Sequence, residues 1–252
     1  PEQMAGLEAQ YQAPSATNVD MRRMTYDDVI IRTAGIFAVI LAVGAISWTL
    51  ATSADQATAA LGGMAMVAGV VGSLVLGVIN AIKRVPSPAL IIAYAVFEGL
   101  LLGGFSGFME ARYEGIVVQA VLATVVTFAV MLAAYSYGGF RVQGRFRRVL
   151  SVAVLGYGLF CLINLGLMMT GATTGAWGLR SLTIMGIPLG VILGILAVIM
   201  ASFFLAVDFE SIENGVRNGL PQRYAWAGAF GLVLTIVWLY VEFLRLLSYF
   251  RD

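Results

Sequence analysis

The chain has 252 residues, 60% of them hydrophobic and only 12% charged, with a formal net charge of +1. Soluble domains carry roughly 45–50% apolar and about 25% charged residues, so a globule of this size could not hide its apolar surface, whereas a bilayer removes the problem. The balanced charge, with no basic stretch interleaved with aromatics, argues against nucleic acid as a partner, and the absence of histidine excludes His-based catalysis, haem ligation through His and most transition-metal sites.

Residues 1–20 are polar, include Pro1 and Pro14, and show no apolar period, so they read as a flexible tail ahead of a transmembrane domain over 21–252. They lack the basic and apolar succession of a signal peptide. Thr25 with Asp28 three residues on is a capping-box pattern, which predicts a helix start with acids near its positive end. Seven apolar runs follow, each long enough for ~30 Å of hydrocarbon: 33–54, 57–82, 89–109, 115–137, 149–169, 182–207 and 224–247. They are broken at Asp55, KRVPSP (83–88), EARYE (110–114), GGFRVQGRFRR (138–148), GATTGAWGLR (171–180) and DFESIENGVRNGLPQR (208–223). No run alternates as a β-barrel strand would, so the fold class is all-α, a polytopic bundle of seven transmembrane helices.

Orientation follows the Lys/Arg distribution. With the N-terminus cytoplasmic, that side holds eleven of the 15 basic residues and the other side only Arg112, Arg180, Arg245 and Arg251. Small residues recur at four-residue spacing as Ala65/Gly69/Ser73/Gly77, Gly99/Gly103/Gly107 and Gly186/Gly190/Gly194. In lipid such residues let helix backbones approach, and packing within one chain is the reading favoured over a dimer seam, so a monomer is expected. Pro188 is expected to bend the sixth helix or to begin it after an irregular entry. Cys161, the one cysteine, reads as a small residue within an apolar run.

Ionisable groups inside spans are costly and mark function by default. Glu98, Asp208 and Glu242 qualify, with Asn80, Asn164 and Arg245 as supporting polar groups. At ~1.5 Å per residue, Glu98 and Asp208 lie at a similar height, roughly 15 Å from the N-terminal face, and Glu242 lies about 15 Å higher. Glu242 and Arg245 read as a local ion pair, and Glu210 and Glu213 as solvated helix-end acids. With no histidine available, a carboxylate must sense pH. Asp208 is the expected principal titrating group, coupled to Glu98 or Glu242, since two facing carboxylates titrate as a unit.

Seven short-looped helices, VFEGLLLGGFSG in the third, DFESIENG after the sixth, WLYVEFLRLLSYF at the end and MTYDDVIIRTAG before the first span together resemble the Bax inhibitor-1 family, also called the transmembrane Bax inhibitor motif family, and its bacterial branch in particular. The resemblance covers roughly 24–250. It implies a bundle with the last helix central, in a bacterial plasma membrane, and a pH-gated cation leak, chiefly of Ca²⁺. It also implies that an acid at the end of the sixth helix, matched by Asp208, pairs with an acid in the seventh. Matched by surrounding residues, the second acid is Glu242; counted without a gap from Pro221, its place falls on Leu234. Either the seventh helix is irregular around Gly228–Gly231, or the latch is rebuilt with Glu98.

Two functions are therefore weighed. In the first the chain is a proton-sensitive leak channel or transporter whose interior acids sense pH. Asp208 and Glu242 would be the candidate Ca²⁺ ligands, since hard cations favour carboxylate oxygens. In the second it is a regulatory or scaffold protein that binds other membrane proteins such as a membrane protease, through residues 1–20 and the arginines of 141–148. An enzyme is disfavoured: no nucleophile elbow or metal cluster accompanies the missing histidine. No cofactor is called for beyond Ca²⁺ as the transported ion. The topology is tested by accessibility labelling of single cysteines at Gln143 and Thr174 in a Cys161→Ser background. They are expected to label from opposite sides, and labelling from the same side overturns the seven-span orientation.

Overall fold

The computed structural model describes residues 22–173, 177–184 and 186–251; the tail 1–20 and the labelling position Thr174 lie outside them. Among the described residues seven helices are long and apolar enough to cross a membrane. They are α1 (Tyr26–Ala51), α2 (Gln56–Ile82), α3 (Pro88–Arg112), α4 (Ile116–Ser136), α5 (Gly144–Met169), α6 (Leu189–Arg217) and α7 (Ala225–Tyr249). The chain is a multi-pass membrane protein of all-α class, with one two-residue-strand hairpin, β1 (Thr183–Ile184) and β2 (Ile187–Pro188), in the α5–α6 connection.

Local chemistry sets the helix ends. α1 starts at the anticipated capping box: the Thr25 hydroxyl accepts from the Asp28 amide at 3.2 Å and the Asp28 carboxylate accepts from the Thr25 amide at 3.2 Å. Asp55, expected as a break, caps α2 by accepting from the Thr58 amide at 2.8 Å and hydroxyl at 2.7 Å. Those donors hold its carboxyl below the ordinary value. Glu110 does the same for α4, accepting from the amides of Gly115 at 2.5 Å and Val117 at 3.0 Å. The sixth helix departs from the expected 182–207. Residues 182–188 are taken up by the hairpin, whose turn holds Gly186 at φ 84°, and Pro188 immediately precedes α6. The helix then runs on through DFESIEN, whose Glu210 and Glu213 find basic partners in Arg147 and Arg141, and stops only before Gly219 at φ 63° and Pro221. Gly186 is thus no part of a helical small-residue stripe.

Glycine-on-glycine contact brings α1 and α3 together. A Cβ on Gly103 would fall on the Gly44 carbonyl, and one on Gly99 would stand 2.8 Å from the Ile40 carbonyl oxygen. Across this seam the Ser47 hydroxyl donates to the Leu100 carbonyl at 2.7 Å. α2 meets α3 in the same manner, with Gly69 against Phe97 and Leu101. Asn80 donates to the Leu90 carbonyl at 3.2 Å, so this interior amide staples α2 to α3. Gly190 on α6 sits under the Tyr249 ring of α7.

The last helix is the hub, as expected: α7 packs on α6, α1, α4 and α3. It is continuous through Gly228–Gly231, so no irregularity shifts its register there. The entry to α1 is stitched to the α6–α7 turn. The Met24 amide donates to the Leu220 carbonyl at 2.7 Å, the Gln222 amide to the Arg22 carbonyl at 2.8 Å, and the Gln222 side chain to Asp28 at 2.7 Å.

Gly103→Leu places a branched side chain where the α1 backbone lies, and overpacking of this kind costs about 1–3 kcal/mol or more. The variant is expected to unfold at a clearly lower temperature than the parent in detergent, and an unchanged melting curve would show that the α1–α3 seam is not close-packed.

Candidate functional site

The three interior acids lie on three helices, and among the described residues they share no hydrogen-bond partner. Asp208, on α6, lies deep in the bundle yet keeps some surface open. The Thr235 hydroxyl of α7 donates to its Oδ2 at 2.5 Å. A methyl group on Gly231, one turn earlier on α7, would stand 3.4 Å from Oδ1. Among the described residues no basic side chain pairs with this carboxylate. Below it a cavity of about 240 Å³ extends toward the N-terminal face, past Gly228 and Gly215 to Met24, Leu220 and Tyr224. The glycines are what make the room: any side chain at 228 would meet Ile212 at 3.1 Å.

Glu98, on α3, is buried at 5% exposure, and the hydroxyls of Tyr94, one turn before it, and Ser73 of α2 are its polar neighbours. Ser73 belongs to the small-residue stripe of α2, so the stripe that lets the helices approach also brings a hydroxyl toward Glu98. The ring of Tyr94 meets Phe230 edge-on at a centroid distance of 5.1 Å. Phe230 and Gly231 are neighbours on α7, so Glu98 and Asp208 stand at a common level of the bundle, as their heights suggested, but each keeps its own hydrogen-bond shell.

Glu242 belongs to a different environment. Seven residues beyond Thr235, it lies about 10 Å further along α7. Its side chain and that of Arg180 are each 3% exposed and stand 3.4 Å apart. Arg245, one turn on, donates to Glu242 Oε1 at 2.8 Å, and the Tyr157 hydroxyl of α5 donates to the same oxygen at 2.5 Å. Arg180 also donates to the Tyr157 oxygen and, at 3.2 Å, to Cys161 Sγ, so the lone cysteine is an acceptor within this cluster. Burial opposes the Arg180 charge, but Glu242 and the Tyr157 oxygen outweigh it and hold the guanidinium above its ordinary range. One carboxylate between two guanidiniums is compensated in place. Neither the pairing of Asp208 with Glu242 implied by the resemblance nor the alternative pairing with Glu98 is formed in this structure. Thr235, next to Leu234, occupies the place facing Asp208.

Asn164 of α5 serves the same cluster from outside. It donates to the Trp177 carbonyl at 3.2 Å and accepts from the Leu179 amide at 2.7 Å, fixing the short 3-10 turn (Gly178–Ser181) that carries Arg180 inward. At the N-terminal face Glu210 and Glu213 are engaged rather than merely solvated. Glu213 takes Arg141 at 3.2 Å, Arg217 at 3.4 Å and the Tyr135 hydroxyl, and Glu210 takes Arg147 at 3.3 Å. Arg145 and Arg148, in the first turn of α5, are exposed and form no ion pair among the described residues. Three functional side chains escaped sequence reasoning: Thr235 and Tyr157, which nothing distinguishes from other polar residues in spans, and Arg180. Arg180 did carry a signal, as the single basic residue of the long connection between the fifth and sixth runs.

Removing one partner of a buried ion pair while leaving the others costs about 3–5 kcal/mol. Glu242→Gln leaves Arg180 and Arg245 without their anion and is expected to lower thermal stability sharply. Asp208→Asn, which removes a carboxylate with no cationic partner, should be neutral or mildly stabilising; equal losses for the two variants would contradict this division of roles. Over residues 3–252 the chain matches the family model described as Bax inhibitor 1 like. No curated protein and no solved structure matches it.

Proposed function

The chain belongs to the Bax inhibitor 1 like family, and we propose that it is a pH-sensitive cation leak pathway or transporter, with Ca²⁺ as the favoured ion, whose controlling group is Asp208. The observation that carries this reading is a carboxylate with no basic partner among the described residues, at the end of a cavity extending from the N-terminal face. A structural acid in hydrocarbon would be expected to have its countercharge beside it, as Glu242 does. Asp208 instead has one neutral hydroxyl and open volume, which suits a group that exchanges a proton or a hydrated cation with the aqueous phase.

On this reading the two halves of the membrane have different tasks. The half nearer the N-terminus admits water and ions to Asp208. The opposite half is closed by the Arg180–Glu242–Arg245 cluster, which presents a net positive charge to any cation and so resists its passage. Conduction requires Asp208 to leave Thr235 and the path beyond it to widen along α7. Glu98, at the same level but behind Tyr94, is the nearest further carboxylate through which a cation or proton could pass. Glu242, as a Ca²⁺ ligand, would first have to be freed from both arginines, so we assign it to the closed side and Asp208 to the ion. We place the N-terminus in the cytoplasm of a bacterial plasma membrane, on the basic bias of that face, and we read the role as non-enzymatic.

The alternative, a regulatory membrane protein that engages a protein partner, draws its support from the exposed Arg145 and Arg148. The two readings part at one experiment. In proteoliposomes loaded with a Ca²⁺ indicator, Asp208→Asn fixes the uncharged form. It is expected to flatten the pH profile of Ca²⁺ flux, while Glu98→Gln shifts the midpoint. A flux with an unchanged pH profile in Asp208→Asn overturns the carboxylate gate and leaves the regulatory reading in front.

A further inference from the structure

A second and larger cavity, of about 740 Å³, lies in the half of the bundle away from the N-terminal face. α1 and α4 each pack along α7 rather than on one another, and the space between them forms a groove whose floor is α7 and α3. On α1 it runs from Phe37 to Thr49, and on α4 from Val117 to Phe128. Twelve helical residues span about 18 Å, close to one leaflet of a hydrocarbon core ~30 Å thick. No charged residue lines the groove. Its hydroxyls are already satisfied: Ser106 and Tyr240 bond each other at 2.7 Å, Thr124 donates to the Ala120 carbonyl at 2.7 Å, and Thr49 donates to the Ile46 carbonyl at 2.8 Å. A water path would need polar groups free to bind it, and an apolar cavity without them stays dry.

We propose that this groove is a binding site for one acyl chain of a phospholipid from the leaflet opposite the N-terminus. The match rests on length, on volume within the ~300–1,000 Å³ of ordinary ligand sites, and on an apolar, uncharged wall whose hydroxyls bond within the protein. Trp48 stands at its outer end, at the level where indoles meet headgroups. The chain fills the gap between α1 and α4 and thereby completes the packing of α7. It differs from surrounding bulk lipid in being held on four helices at once.

The test uses the full chain in phosphatidylcholine vesicles containing a trace of phosphatidylcholine with a mid-chain diazirine. After illumination, adducts mapped by peptide mass spectrometry are expected to concentrate several-fold on Ala45, Trp48, Val121 and Val125 over Leu155, an open lipid-facing position on α5. Ala45 is exposed, so Ala45→Trp adds an indole to the groove without displacing the bundle; Val121→Trp, from the facing wall, is the second variant. Each should lower groove adducts several-fold and leave those at Leu155 unchanged. Equal labelling of groove and Leu155, or groove adducts indifferent to both indoles, shows annular lipid only and overturns the site.

Discussion

A charge placed between the two membrane surfaces must find its compensation inside the protein, because hydrocarbon supplies neither counterions nor water. The interior acids meet this constraint in three ways. Glu242 is held between two guanidiniums and a tyrosine hydroxyl. Glu98 is buried on hydroxyls alone. Asp208 has one hydroxyl and a cavity. Much of the architecture follows from serving these three solutions. The α5–α6 connection folds inward to deliver Arg180, the stripe of α2 includes Ser73 among its small residues, and α6 and α7 keep glycines at 215, 228 and 231 around the Asp208 cavity.

The last helix joins these demands. Along α7, Phe230 touches the ring that serves Glu98, Thr235 holds Asp208, Tyr240 binds Ser106 and Glu242 collects the arginines. One rigid element therefore fixes the relative heights of these groups, at ~1.5 Å per residue. It also makes the two membrane halves unlike each other. Toward the N-terminal face α7 borders the cavity at Asp208; in the other half it is bound by charge to the connection between α5 and α6.

The sequence displayed the spans, their order and the helix starts with little ambiguity, since hydropathy, the Thr25–Asp28 box and Pro188 are local signals. Heights were legible too, because rise per residue is fixed: Glu98 and Asp208 were placed at one level and Glu242 above them. Partners were not. Which side chain faces Asp208 depends on how α7 is rotated against α6, and nothing near Thr235 marks that rotation. The charged run past Asp208 reads as a break in the span, although the height assigned to Asp208 already took the helix on to about Gly219; Arg141 on the α4–α5 connection and Arg147 at the start of α5 are the partners that let it continue. Arg180 was counted as a loop cation because a turn that re-enters the bundle looks, by composition, like one that stays in water.

The stitching of residues 22–24 to the α6–α7 turn has a mechanical meaning. Met24 and Leu220 are joined by a main-chain hydrogen bond of 2.7 Å, and both line the cavity below Asp208. Residues 22–24 and the rim of that cavity are consequently one lever arm. A displacement of residues 22–24 therefore acts with short leverage on the cavity mouth, whose other walls are the helices that carry Asp208 and Gly231.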